Sequence, residues 1–176
     1  TAYRRQRQMC IRDRLQASRQ HEHAYTEVLA QMKGLSANYV DDARQLWRRL
    51  VFHHLITNVD DHLQNLGFLY VGDNQWQLSP AFDINPMPEK NRESKTWLSE
   101  DTGPITSMAQ LMGQASQFSL SRDQSLAIVR QVVGAVLQWR VLGLSAEVGM
   151  TAQELDEFAL AFDHPDLDDA RKLAGL

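Results

Sequence analysis

The sequence predicts a mainly α-helical domain carrying one small β-hairpin. Three observations lead there. Ala43, Leu46, Trp47, Leu50, Val51 and Leu55 recur at helical spacing, the stripe of a helix buried along one side. Ser121-Arg122-Asp123-Gln124 and Thr151-Ala152-Gln153-Glu154 each stand ahead of a periodic apolar run, as capping boxes do. Between these helical regions, Leu66 to Val71 is apolar and aromatic, Gly72-Asp73-Asn74 signals a turn, and Gln75 to Leu78 alternates. That is a hairpin pattern.

The 176 residues and 20.1 kDa fit one domain, or one lobe of a larger one, with a real core. Apolar residues at 43% and charged residues at 23% exclude wholesale disorder and fibrous repeats. A single cysteine, Cys10, excludes an internal disulfide framework and a multi-cysteine zinc site. The longest charge-free run, Thr102 to Ser121, is too polar to span a membrane, and Arg130 and Arg140 interrupt the greasier stretch from Leu126 to Leu144. With no apolar run near the N-terminus, the expectation is a soluble, cytoplasmic protein.

Residues 1–14, Thr1 to Arg14, read differently from the rest. They hold five arginines and one acid, and Met9-Cys10-Ile11-Arg12-Asp13 resembles a translated sequencing-library adapter. The expectation is a non-native segment, against the alternative of a basic arm for nucleic acid or membrane. Without it the net charge moves from −4 to −8, which disfavours general binding to a phosphate backbone.

From Leu15 the elements follow in order. Leu15 to Met32 reads as a weakly amphipathic helix stopped by Gly34, and Asp41 and Asp42 start the strong helix that ends near Leu55. After the hairpin, Pro80, Pro86 and Pro88 break the chain, and Glu89 to Gly103 is polar enough for a mobile loop. Residues 105–176 read as a helical bundle, with Pro165 ahead of a short acidic helix around Leu167 to Leu173.

The chemistry concentrates between the strong helix and the hairpin, from His53 to Asn65. Phosphoryl transfer from ATP needs a carboxylate to orient the attacking hydroxyl and oxygen ligands for magnesium; protein kinases use an Asp, an Asn five positions later, a hairpin, then a second Asp. Asp60, Asn65, the expected hairpin and Asp83 in Ala81-Phe82-Asp83-Ile84 follow that order. The Asp-to-Asn spacing alone is cheap, but the ordered set is not. Bland readings compete: Asp61 caps a helix or faces solvent, His53 and His54 are structural with at most one facing the core, and Asp83 is a buried carboxylate in need of a partner.

At these residues the sequence resembles the HipA-like serine/threonine kinases of bacterial toxin–antitoxin systems. Asn58-Val59-Asp60-Asp61-His62-Leu63-Gln64-Asn65 resembles their catalytic loop (58–65), and Leu78 to Ile84 their metal-binding segment, here within 80–86. The resemblance implies a protein-kinase-like C-terminal lobe over 15–176. It makes Asp60 the catalytic carboxylate and Asn65 and Asp83 the magnesium ligands. His62, Asn65, Phe82 and Asp83 become ATP-binding residues, and Asn58 braces the loop. It also implies ATP as substrate, Mg2+ as cofactor, a Ser- or Thr-bearing protein as acceptor, and a helix-turn-helix antitoxin as partner, with DNA met only through that antitoxin. The chain departs from the family in one respect: it has no G-x-G-x-x-G, and with residues 1–14 set aside about forty residues precede the loop. The expectation is a truncated kinase lacking its N-terminal lobe and inactive alone. Two alternatives stand beside it: a metal-dependent hydrolase built on Asp60, Asp61, His62 and Asp83, and a non-catalytic helical module that binds a protein.

Overall fold

The computed structural model describes residues 8–10, 23–88 and 92–176, the first three by backbone only. Strand β1 (Gln8–Cys10) leads to helices α1 (Tyr25–Lys33) and α2 (Tyr39–Leu55), a 3-10 turn at Leu63–Asn65, and strands β2 (Gly67–Gly72) and β3 (Gln75–Leu78). Strands β4 (Trp97–Ser99) and β5 (Gly103–Pro104) follow. The rest is helical: α3 (Met108–Gln114), a 3-10 turn at Ala115–Phe118, α4 (Arg122–Val136), α5 (Trp139–Gly143), α6 (Ala152–Phe162) and α7 (Pro165–Ala174). The mainly helical class holds, with two small antiparallel sheets where one hairpin was expected.

Helix α2 is the axis of the core. Ala43, Leu46, Trp47, Leu50, Val51 and Leu55 are all buried, as the stripe predicts. Trp47 is fully enclosed, and its indole N–H donates to the Leu111 carbonyl of α3 at 3.2 Å, which satisfies the one polar atom of a large core side chain. Asn38 caps the helix by accepting from the Asp41 N–H.

One acid of the first turn is not on the surface. Asp42 is buried and accepts from the Ser36 hydroxyl at 2.5 Å and from the Leu78 N–H of β3 at 3.1 Å. It therefore pins the start of α2 to the hairpin. Replacing it with alanine strands a buried N–H, so Asp42→Ala is expected to cost about 2–3 kcal/mol. Urea denaturation checks this; a loss under about 0.5 kcal/mol counts against the clamp.

In the hairpin, Gly72 pairs with Gln75, leaving Asp73 and Asn74 as a two-residue turn, both at positive φ (48° and 60°). Asp and Asn tolerate that region, and the turn's twist suits antiparallel strands. Tyr70 faces Trp76 edge-on at 5.4 Å. The Gln8–Cys10 backbone adds a third strand on the far side of β2; the remainder of residues 1–14, and residues 15–22, lie outside the described residues.

The mobile loop expected over 89–103 is corrected in part. Trp97 to Ser99 pair with Gly103–Pro104, and the Trp97 N–H donates to the His23 carbonyl at 2.8 Å. Leu98 is fully buried. Short strands of this kind lack the length for alternation to register in sequence.

Both capping boxes form, Ser121 with Gln124 and Thr151 with Glu154. α4 packs on α7, where Arg130 donates to the Ala174 carbonyl at 2.9 Å. Pro165 opens α7 as its first residue, where a missing N–H costs nothing. A Cβ on Gly143 would meet Leu155 Cδ2 at 2.7 Å, so a larger residue there would have to displace the Leu155 side chain of α6, and Trp139 of α5 stacks on Phe162 of α6 at 4.5 Å. Among the described residues, no helix is long and apolar enough to cross a membrane.

Candidate active site

The catalytic-loop candidate begins where α2 ends. Ile56 closes the helix, and Thr57 turns the chain at φ 53°, a costly conformation for a β-branched residue. Thr57 is buried, its hydroxyl donates to the Ala161 carbonyl at 2.9 Å, and its carbonyl accepts from the Met87 N–H at 3.2 Å. Asn58, also buried, accepts on Oδ1 from the Asn85 N–H at 3.4 Å. The loop is thereby tied to the segment that carries Asp83.

Asp60 stands partly exposed on this loop. Its Oδ1 receives Lys95 Nζ, and His62 Nε2 lies 3.8 Å from the same oxygen. The Lys95 hydrogen bond holds the Asp60 carboxyl below the ordinary range against the opposing effect of burial, with the lysine and then the histidine charge adding to the lowering. The group is therefore ionised at neutral pH. Asn65 Nδ2 donates to the Asp60 carbonyl at 3.2 Å, which closes the loop over its 3-10 turn and directs the amide oxygen away from that bond.

Asp61 corrects an expectation. It neither caps a helix nor faces solvent; it is 3% exposed. Tyr25 donates to its Oδ2 at 3.0 Å, the Lys95 and Thr96 N–H groups to its Oδ1 at 2.7 and 3.3 Å, and the Thr96 hydroxyl to its carbonyl at 2.7 Å. Burial pushes its carboxyl up to about 6, against the pull of those donors. This residue fastens the loop to α1 and to the start of β4.

Asp83 is also corrected. It is exposed, at φ 55°, and accepts from Asn85 Nδ2 at 3.1 Å, so the premise of a buried carboxylate fails. Phe82 is exposed as well. Phe82, His62 and Asn65 line one cavity of about 20 Å³ together with His53, Asp61 and Tyr25, whereas Asp83 lies outside that lining. Asp60, His62 and Asn65 thus sit on one loop, Phe82 shares a cavity with two of them, and Asp83 connects to the loop through Asn85 and Asn58.

Both histidines that end α2 turn inward, where at most one was expected. His54 is buried with Nε2 3.5 Å from Asp166 Oδ1. Both ring nitrogens of His53 are covered and have no hydrogen-bond partner among the described residues. Burial, with the Arg49 charge adding, lowers its imidazole to about 4.

Sequence reasoning missed Tyr25, Lys95, Thr96 and Arg92. The last three lie in the stretch read as mobile loop, and Tyr25 in a weakly patterned helix. None carries a local signal, because each matters only through a contact 30 or more positions away.

Asn65 and Asp83 carry amide and carboxylate oxygens, the ligand class magnesium takes. Among the described residues, no three His, Cys, Asp or Glu side chains gather into a group that could hold a metal. The hydrolase centre of Asp60, Asp61, His62 and Asp83 is not favoured, since Asp61 spends both oxygens on protein donors.

Two comparisons with known proteins bear on this geometry. The family model described as HipA-like C-terminal domain matches residues 3–140, and the chain belongs to that family. A Haemophilus influenzae protein named "Putative kinase" is 28% identical over 87 residues, 46% of this chain. The match spans 25% of that relative's length.

Proposed function

We propose that this chain is the protein-kinase-like C-terminal lobe of a HipA-like serine/threonine kinase. The observation that carries the reading is the Asp60 carboxylate, ionised and aimed by Lys95 on a loop that Asn65 closes through the Asp60 carbonyl. Asp60 accepts or orients the hydroxyl proton of a Ser or Thr acceptor. An aspartate of low basicity suits a loose transition state, in which positioning contributes most and proton removal comes late. Asn65 and Asp83 are the residues to hold magnesium, which when bound neutralises charge on the ATP phosphates. His62 and Phe82 lie against the nucleotide, and Asn58 braces the loop from beneath. The phosphate-covering loop and strand lysine belong to a further lobe outside these 176 residues, and a helix-turn-helix antitoxin is the implied partner, in the cytoplasm.

The test is phosphoryl transfer from γ-labelled ATP, measured on the chain alone and on the chain joined to its upstream reading frame. Transfer is expected only from the joined protein. Turnover by the isolated chain comparable to that of a two-lobed relative overturns the lobe reading. Failure of the joined protein to label itself or any Ser/Thr substrate overturns the kinase reading.

A further inference from the structure

The left-handed turn at Thr57 aims the residues that follow it, Asn58 to Asp61, and such a turn persists only where its surroundings over-determine it. The surroundings here are three segments distant in sequence. Thr57 Oγ1 donates to the Ala161 carbonyl at the end of α6 and accepts from Arg92 Nε at 3.2 Å. The same guanidinium donates to the His54 carbonyl at 3.0 Å and pairs with Asp166 in the first turn of α7 at 2.7 Å. One planar fork therefore spans the end of α2, the loop entry and the α6–α7 corner, a geometry a lysine cannot reproduce.

His164 completes the corner. Its Nδ1 accepts from the Leu167 N–H at 3.2 Å as the cap of α7. The proton then belongs on Nε2, which donates to the Leu55 carbonyl at 3.0 Å. Arg92 Nη2, 3.0 Å from Nε2, faces a second donor there, so its hydrogens go to His54. The corner is thus fixed to the end of α2 by His164 independently of Arg92, and Arg92 adds a charged tie from that corner to Thr57 beside the bond to the Ala161 carbonyl.

We propose that Arg92 is a positioning residue of the candidate phosphoryl-transfer site: anchored on Asp166, it holds the Thr57 hydroxyl and, through it, the turn that aims Asp60. The role rests on Asp60 being the catalytic carboxylate. It makes the C-terminal helix pair a working part of the site, although neither helix touches Asp60 among the contacts described.

Amide hydrogen exchange on the 176-residue chain tests this without requiring activity. Arg92→Met is expected to speed exchange at residues 58–61 about tenfold or more while Val129 and Val133 in α4 keep their protection. Arg92→Lys recovers less than half of the loss. Adding Thr57→Asn to Arg92→Met restores protection, because asparagine accepts the left-handed turn without the penalty a β-branched residue incurs. Arg140→Met, which removes an exposed pair with Asp163, leaves the loop unchanged. The proposal fails if Arg92→Met leaves residues 58–61 at wild-type exchange, if it raises loop and core equally, or if Thr57→Asn gives no rescue. Should Arg92→Met not fold, Asp166→Asn must open the same loop, and unchanged protection there overturns it. In the joined kinase, Arg92→Lys lowers kcat about tenfold with the nucleotide KM unmoved. The two failures are separable: absence of transfer by the joined wild-type protein removes the kinase reading, intact transfer by Asp60→Asn removes Asp60 from the chemistry, and loop exchange in the Arg92 variants reads the brace in either case.

Discussion

On the proposed reading, Asp60→Asn in the joined protein should lower phosphoryl transfer by about 10²–10⁴-fold, the range a positioned acid–base group supplies. Asparagine keeps the size of the side chain but loses the negative charge that receives Lys95 and the acceptor proton. The side chain is partly exposed, and exposed ion pairs contribute about 0–1 kcal/mol, so stability should barely move. The Asn65 bond runs to the Asp60 backbone carbonyl and survives the change. The expected signature is a fall in kcat with an unmoved melting curve. A variant with full turnover removes Asp60 from the chemistry.

The second large effect is acid lability between pH 6.5 and 4. His53 is ordinarily half-protonated at 6.5 and falls to about 4 when folded; His164 falls to about 4, through burial first and the Arg92 charge second. A lowered imidazole binds its proton better unfolded. The stability it contributes is complete above pH 6.5 and drains away as pH falls through about 4. Asp61 runs the other way. Its raised carboxyl, ordinarily 3.8 and about 6 when folded, contributes fully below 3.8 and loses that contribution as pH rises through 6.

In the shared window two imidazoles oppose one carboxyl, with His164 discounted because it is partly exposed. The folding free energy should therefore climb from pH 4.5 to 6. Each proton in the balance is worth about 1.4 kcal/mol per pH unit, and the His53 shift in full about 3 kcal/mol. His53→Gln should remove one proton from the balance and leave the profile near flat. Urea denaturation at pH 4.5, 5.5 and 6.5 measures it, and an unchanged slope in the variant rules out His53 as the cause. Asp61→Asn should steepen the same slope, since the opposing carboxyl is then gone.

Much of the scaffold was legible from residues alone. The stripe from Ala43 to Leu55 predicts a helix buried on that side, and α2 buries those six residues. The two capping boxes mark the starts of α4 and α6, and Asp73-Asn74 marks the hairpin turn. Helix stripes, caps and tight turns are local: each is specified within a few residues, so spacing suffices to read it.

What sequence alone determined, then, is the family's ordered loop, hairpin and acid segment and the helices that frame them. Only the tertiary structure decided how the loop is held: Asp61 turned inward onto Tyr25 and Thr96, Asp83 left outward, Lys95 set on Asp60, and Arg92 carried to Asp166. The physical reason is one of range. An isolated acid in a polar stretch has the same local preferences whether it ends in water or beneath a helix; the donors that settle the matter arrive from segments about 30 to 75 positions away, and nothing in the neighbouring residues encodes their arrival.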